Sequence, residues 1–350
     1  MKTTILFTAG REIEYVRNKV IVNALTKYFD TTVIVDKSKN YWIRFIKLFY
    51  KLMKRKNSED VAFIGFYGMP IMLFVNFFFK KRIIYDAFVT THDTLCFDRK
   101  IIKPASFLGK LILYFDKISL NRASHILVDT IENKKYVCKT FHIPDNKVSS
   151  IPVSCDEELF NLEMVAEPDN TILFYSTYQP LHGTEIILRA ASILQNELDI
   201  VFHIYGKGQE YLRCKKLLTE LKIKNTFLLE PIPYTQLPVV ISKAKICLGG
   251  PFGNTPKAKR VITGKTYQFL YLAKPVIVSD TVANRELLTP GVDAEFCEIF
   301  NPESVAESIH KLVTDRVYSK KIAANGLTTY NRYASNKIVE NKYREIIIGI

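Results

Sequence analysis

The sequence predicts an α/β protein built from two doubly wound, Rossmann-like halves, each with a parallel sheet. Short apolar, β-rich runs alternate with helical patterns from Thr3 to Asp129. The acidic, proline-containing stretch Glu157 to Asn170 then breaks the pattern, and the alternation restarts at Thr171. With 350 residues the chain is long enough for two domains, each with its own core.

In the first half, Thr3–Thr8, Thr32–Val35, Val61–Phe66, Ile83–Phe88 and His125–Asp129 read as strands, with helical patterns such as Val16–Phe29 between them. Strand and helix in alternation imply crossovers, and therefore parallel strands with helices on both faces. The run Ile151–Asp156 leads into the linker-like stretch. In the second half the strands are Thr171–Ser176, Val201–Tyr205, Thr226–Leu229, Ile246–Leu248 and Pro275–Ser279, and the chain after Pro302 is mainly helical. The expected domains are 1–165 and 166–330, with 331–350 forming a helix that packs back on the first domain.

Composition narrows the function classes. Hydrophobic content of 48% with 24% charged residues excludes a disordered chain, and the net charge of +14 favours an anionic partner such as a phosphorylated substrate, a membrane surface or a nucleic acid. Six dispersed cysteines form no C-x-x-C pair, and no histidine stands at metal-ligand spacing, so a reduced, cytoplasmic protein without a metal or cofactor is expected. Met1-Lys2 leads at once into a strand, so no signal peptide is expected. The longest apolar run, Met69 to Phe79, carries Pro70 and Asn76 and is about half the ~20 residues a spanning helix needs.

Three turns follow second-half strands: Tyr178-Gln179-Pro180-Leu181-His182-Gly183, Gly206-Lys207-Gly208-Gln209, and the long segment Gly249 to Lys265. In a doubly wound sheet, ligands bind at the carboxyl ends of strands, and glycine lets backbone and helix N-termini approach a phosphate. Three such ends suit a nucleotide diphosphate.

These residues carry a resemblance. Ile172-Leu173-Phe174-Tyr175 with Pro180-Leu181-His182-Gly183, Ile204-Tyr205-Gly206-Lys207-Gly208, and Lys265-Thr266-Tyr267-Gln268 with Ala273-Lys274-Pro275-Val276-Ile277 resemble retaining glycosyltransferases of family 4. More narrowly they resemble a subgroup with Pro-Leu-His-Gly and Lys-Ala-x-Arg-Val-Ile motifs. The likeness runs more weakly through Ile84-Tyr85-Asp86, His92-Asp93-Thr94 and Leu127-Val128-Asp129-Thr130. It implies a GT-B fold, two Rossmann-like domains facing across a cleft. It further implies sugar transfer from a nucleotide-sugar donor to a glycan or lipid-linked acceptor, with retention and without a required metal.

A departing diphosphate needs fixed cations and N–H groups, which Lys257, Lys259, Arg260 and Lys265 supply densely. The family pattern has an arginine and a lysine where this chain has Thr177 and His182, so the 257–265 segment must supply most of the neutralising charge, with Lys265 the first choice. The family's spaced glutamates are replaced by Arg260 and Gln268, and Gln268 retains only hydrogen-bonding capacity. The donor-binding candidates are thus Gly10, Thr177, His182, Gly183, Gly206, Lys207, Gly208, Arg260, Lys265 and Gln268. On the acceptor side His92, Asp86 and Asp93 compete for a role beside the reacting carbon.

Residues 37–56 contain no acidic residue. At about 100° per residue Trp42, Phe45, Ile46, Phe49, Leu52 and Met53 share one face of a helix, opposite Arg44, Lys47, Lys51, Lys54 and Arg55. Two readings stand: a crossover helix buried by its apolar face, or attachment to an anionic membrane surface. Competing functions are a GT-B sugar-nucleotide epimerase, against which Gln268 argues, and a non-catalytic protein that binds nucleotide-sugars or nucleic acid. No RNA-binding signature supports a nucleic-acid partner.

Overall fold

The computed structural model describes residues 3–54, 58–161 and 168–349. The chain divides into two compact units, residues 1–154 with 336–350, and residues 155–335. The expected boundary at 165/166 lies outside the described residues, as do Arg55 and Lys56 of the basic segment.

The first unit runs β1 (Thr4–Thr8), α1 (Val16–Tyr28), β2 (Asp30–Ile34), α2 (Tyr41–Met53), β3 (Val61–Ile64), α3 (Met69–Phe74), β4 (Arg82–Asp86), α4 (Phe107–Arg122), β5 (His125–Val128), α5 (Ile131–Phe141) and β6 (Val148–Ser150). Its strands form one parallel sheet in the order β2-β1-β3-β4-β5-β6. The second unit runs α6 (Glu157–Phe160), β7 (Thr171–Ser176), α7 (Thr184–Leu194), β8 (Val201–Gly206), α8 (Tyr211–Glu220), β9 (Thr226–Leu229), α9 (Leu237–Lys243), β10 (Ile246–Leu248), α10 (Gly264–Tyr271), β11 (Val276–Ser279), α11 (Val282–Arg285), β12 (Glu295–Cys297), α12 (Pro302–Thr314) and α13 (Arg316–Tyr333). Its parallel sheet has the order β12-β11-β10-β7-β8-β9, and α14 (Asn336–Gly349) belongs to the first unit.

Parallel strands covered on both faces must be apolar throughout, and β3 and β11 are buried at every residue. In the first unit, Ile5 and Phe7 pack with Val20 and Ile21 of α1 and Val339 and Tyr343 of α14. On the opposite face, Leu6 and Ile64 pack with Leu48 of α2, Ile71 of α3 and Leu120 of α4. Lys27 Nζ meets Glu340 at 2.6 Å, and Ser154 Oγ bonds Asn336 Oδ1 at 2.7 Å, which secures the returning helix.

Helix α2 is a crossover helix buried by only part of the expected face. Leu52 is buried and Phe45 packs against the core, but Arg44 and Leu48 also point inward, whereas Trp42, Ile46, Phe49 and Met53 are exposed. The physical reason lies in Arg44: its guanidinium donates to Gly10 O and Ser38 O, each at 2.9 Å, and sits 3.4 Å from Glu12, so hydrogen bonds turn the helix away from its most apolar stripe.

Candidate functional site

In the second unit the connections from β7 and β10 leave in opposite directions, which makes the gap between these neighbouring strands the topological switch point. The segments after them meet there. Gly253 N donates to Leu181 O at 3.0 Å, and Asn284 Nδ2 donates to Gly250 O at 3.1 Å, fixing the segment that leads to α10. Thr263 Oγ1 donates to Gly249 O at 2.8 Å, so this helix-preceding threonine braces the loop and leaves the first turn of α10 without a side-chain cap.

A cavity of about 320 Å³ opens at this edge. Ser176, Thr177 and His182 from the end of β7, Gly206 from β8, and Gly264 and Lys265 from α10 line its polar side. Tyr205, Pro231, Ile232 and Leu237 line the apolar remainder.

Lys265 dominates the electrostatics. It is buried at the start of α10, its Nζ 4.3 Å from the centroid of Phe174 and 3.4 Å from His182 Nδ1. Among the described residues no carboxylate pairs with it. Burial lowers its pKa to about 7. Burial, followed by the charges of Lys265 and Lys257, holds His182 well below its ordinary value, so the imidazole is neutral at neutral pH. A desolvated ammonium beside a helix N-terminus and a neutral histidine is matched to an incoming anion.

The structure therefore brings Thr177, His182, Gly206 and Lys265 to one cavity. Other donor candidates point elsewhere. Lys207 is exposed and pairs with Glu230 at 2.9 Å, and Arg260 Nε donates to Pro256 O at 3.2 Å. Gln268 is buried and accepts from the Tyr175 hydroxyl, tying α10 to β7.

The glycines serve the protein's own packing. Gly183 (φ +63°) precedes α7, and a Cβ there would lie 2.4 Å from the carbonyl carbon of Phe252. Gly206 (φ +130°) would place a Cβ 1.8 Å from Ser176 O, and Gly208 sits equally close to Thr177 O. Gly206→Ala is expected to destabilise the protein by about 1–3 kcal/mol, read as a lower urea midpoint at unchanged slope.

In the first unit the switch point lies between β1 and β3. Gly10 N donates there to Phe66 O at 3.0 Å. Asp86 is engaged by Arg17, whose Nε and Nη2 reach its oxygens at 2.7–3.0 Å, both side chains being fully buried. Asp93 is buried at the start of a π-helical turn, Asp93–Asp98. His92 is buried with Nδ1 free of any partner among the described residues, and burial lowers its pKa, opposed by Asp93.

Asp116 of α4 went unassigned in the sequence. It accepts from the backbone N–H of Thr91 at 3.2 Å and of His92 at 2.7 Å, and burial raises its pKa to about 7 against those bonds. The available signal was its register: Asp116 stands one turn from both Ile112 and Leu120, on the buried stripe of α4.

Residues 169–315 match the family described as glycosyl transferases group 1. That match lies within the second unit and includes the cavity. The O-antigen chain mannosyltransferase RfbU of Salmonella typhimurium is 24% identical over 210 residues, covering 58% of this chain and 54% of that protein. The chain thus aligns with about half the length of this curated relative.

Among solved structures, Anabaena HepE in complex with UDP and glucose superposes with a TM-score of 0.76 at 13% identity, covering 99% of this chain and all of that one. Sucrose-phosphate synthase of Thermosynechococcus elongatus gives a TM-score of 0.72 at 13% identity over the whole of both chains. The fold is two-domain α/β, GT-B. No helix among the described residues is long and apolar enough to cross a membrane.

Proposed function

We propose that the protein is a glycosyltransferase that moves a sugar from a nucleotide-diphosphate-sugar to a glycan or lipid-linked acceptor, with retention and without a metal. The observation that carries this reading is Lys265, a buried cation without a carboxylate partner among the described residues, at the first turn of α10, inside the stretch matched by glycosyl transferases group 1. As the sugar–phosphate bond breaks, negative charge grows on the diphosphate. Lys265, the N–H groups of α10 and the neutral His182 are placed to stabilise it in a site of low dielectric.

Tyr205, Pro231, Ile232 and Leu237 offer the apolar surface a base requires. Support for the reaction class comes from the mannosyltransferase relative and from the UDP and glucose held by HepE. On the acceptor side His92 is assigned to a sugar hydroxyl, with Asp116 holding its backbone. Asp86 is assigned to structure because Arg17 occupies it.

A ligand that binds only the folded protein raises its melting temperature. UDP, GDP and ADP, each with and without EDTA, are expected to yield a shift with at least one nucleotide that the chelator leaves unchanged. A folded sample that responds to none of the three favours a non-catalytic protein, and a shift abolished by EDTA removes the metal-free assignment.

A further inference from the structure

We propose that helices α2, α3 and α4 form one membrane-docking layer on the first unit, and that its partner is an anionic lipid bilayer. This goes beyond sugar transfer and does not depend on the donor site.

The three helices are a continuous layer on one face of the sheet. Phe49 of α2 meets Phe74 of α3 edge to face at 5.0 Å, and Arg122 of α4 donates to the carbonyls of Met72 and Leu73 in α3 at 2.9 and 2.6 Å. The outer surface of this layer is unusually apolar. On α2, Trp42 is 81% exposed and Ile46 68%; on α4, Phe107 is 83% exposed and Leu108 50%. A surface stripe of this kind on a water-soluble face is costly unless something covers it.

Charge selects the occupant. Lys39, Lys47 and Lys54 on or beside α2, and Lys103, Lys110 and Lys117 on or beside α4, are exposed. Among the described residues none of the six pairs with a carboxylate. Lysines framing exposed tryptophan and aliphatic side chains suit an anionic headgroup region over an acyl boundary. A nucleic acid would use the lysines but leave the Ile, Leu and Met side chains in water.

Topology fixes the edge that enters first. Each helix begins after the carboxyl end of a strand, α2 after β2 and α4 after β4. Trp42 and the Phe107–Leu108 pair stand in the first turns of their helices, and therefore at the same edge of the layer. Ligands of doubly wound sheets enter from that edge, so an acceptor embedded in lipid meets the unit there.

Trp42 is the single tryptophan of the chain and reports on the contact directly. With vesicles of phosphatidylcholine and phosphatidylglycerol, its emission is expected to shift to the blue and to be quenched by brominated acyl chains. Phosphatidylcholine alone or high salt should remove the effect. Phe107→Glu with Leu108→Glu leaves Trp42 intact and is expected to cut the bound fraction on the order of tenfold. All four lipid-facing side chains are exposed, so circular dichroism should show both variant and wild type folded.

Three results overturn the proposal: no quenching on anionic vesicles, a Phe107/Leu108 variant that binds like wild type, or a dimer in sedimentation velocity that shields Trp42 from acrylamide. The assay contains no nucleotide, so its failure is distinct from failure of the donor reading.

Discussion

Lys265→Met is expected to weaken nucleoside diphosphate binding strongly and at the same time to raise the melting temperature of the ligand-free protein. The ammonium is buried without a carboxylate partner among the described residues, so in the empty protein its charge is desolvated and compensated only by the Phe174 ring and a neutral His182. Methionine keeps the length and flexibility of the side chain and removes that cost. With about 1 kcal/mol worth roughly 2–4 °C in a domain of this size, a gain of several degrees is expected. Loss of the charge contact should weaken a diphosphate on the order of 100-fold or more. Stability and function thus oppose each other at this residue.

The same group sets a pH dependence. Its folded pKa is depressed to about 7 from the ordinary 10.5, so between these values the unfolded chain holds a proton that the folded protein lacks. Stability of the empty protein from this group therefore rises as pH climbs through that window. Diphosphate binding runs the other way, because the anion requires the protonated form, and affinity is expected to fall as pH rises above about 7. Titration of the melting temperature with and without ligand checks both signs, and Lys265→Met should flatten both curves.

The second large effect is expected at Asp86. Removing its carboxylate leaves Arg17 fully buried, with the Phe88 ring at 4.8 Å, longer contacts to Ile151 O at 3.3 Å and Val128 O at 3.5 Å, and the more distant charge of Asp129. Breaking a buried pair on one side typically costs about 3–5 kcal/mol, so Asp86→Ala should lower the melting temperature by about 10 °C. Replacing both partners, Arg17→Met with Asp86→Leu, should recover most of that loss, since no unpaired charge remains. If Asp86 took part in the reaction instead, the double variant would be stable and inactive. The structural assignment predicts turnover per folded molecule close to wild type.

Much of the architecture was legible because parallel strands buried on both faces write themselves as apolar runs. Among the described residues, ten of the strands stand where such runs lie. The two remaining, Val148–Ser150 and Glu295–Cys297, are three-residue edge strands that carry too few apolar side chains to signal. Of the residues that line the cavity, Gly206 is marked by its place after a strand, whereas Thr177, His182 and Lys265 are marked by the family resemblance and the cation cluster. Lys207 shares the turn of Gly206 but turns to Glu230, and Gln268, further along α10 than Lys265, turns to Tyr175.

Direction also decides α2, since helical periodicity identifies an apolar stripe but not that a buried Arg44 leaves Trp42, Ile46, Phe49 and Met53 of that stripe in solvent. Asp116 lay hidden because one acidic residue on a core stripe is visible only once the stripe is known to be buried. Its partners, the N–H groups of Thr91 and His92, belong to a connection whose course no periodicity reports.

The most direct test of the Lys265 site is the proton balance of diphosphate binding. Calorimetry at about pH 8, in buffers of different ionisation enthalpy, uses whichever of UDP, GDP and ADP gives the largest thermal shift. A lysine that titrates near 7 when empty is mostly neutral there, and must take up close to one proton as the diphosphate binds. Uptake is expected in the wild type and not in Lys265→Met. Binding without proton uptake, or uptake that survives the substitution, would rule out Lys265 as the diphosphate contact.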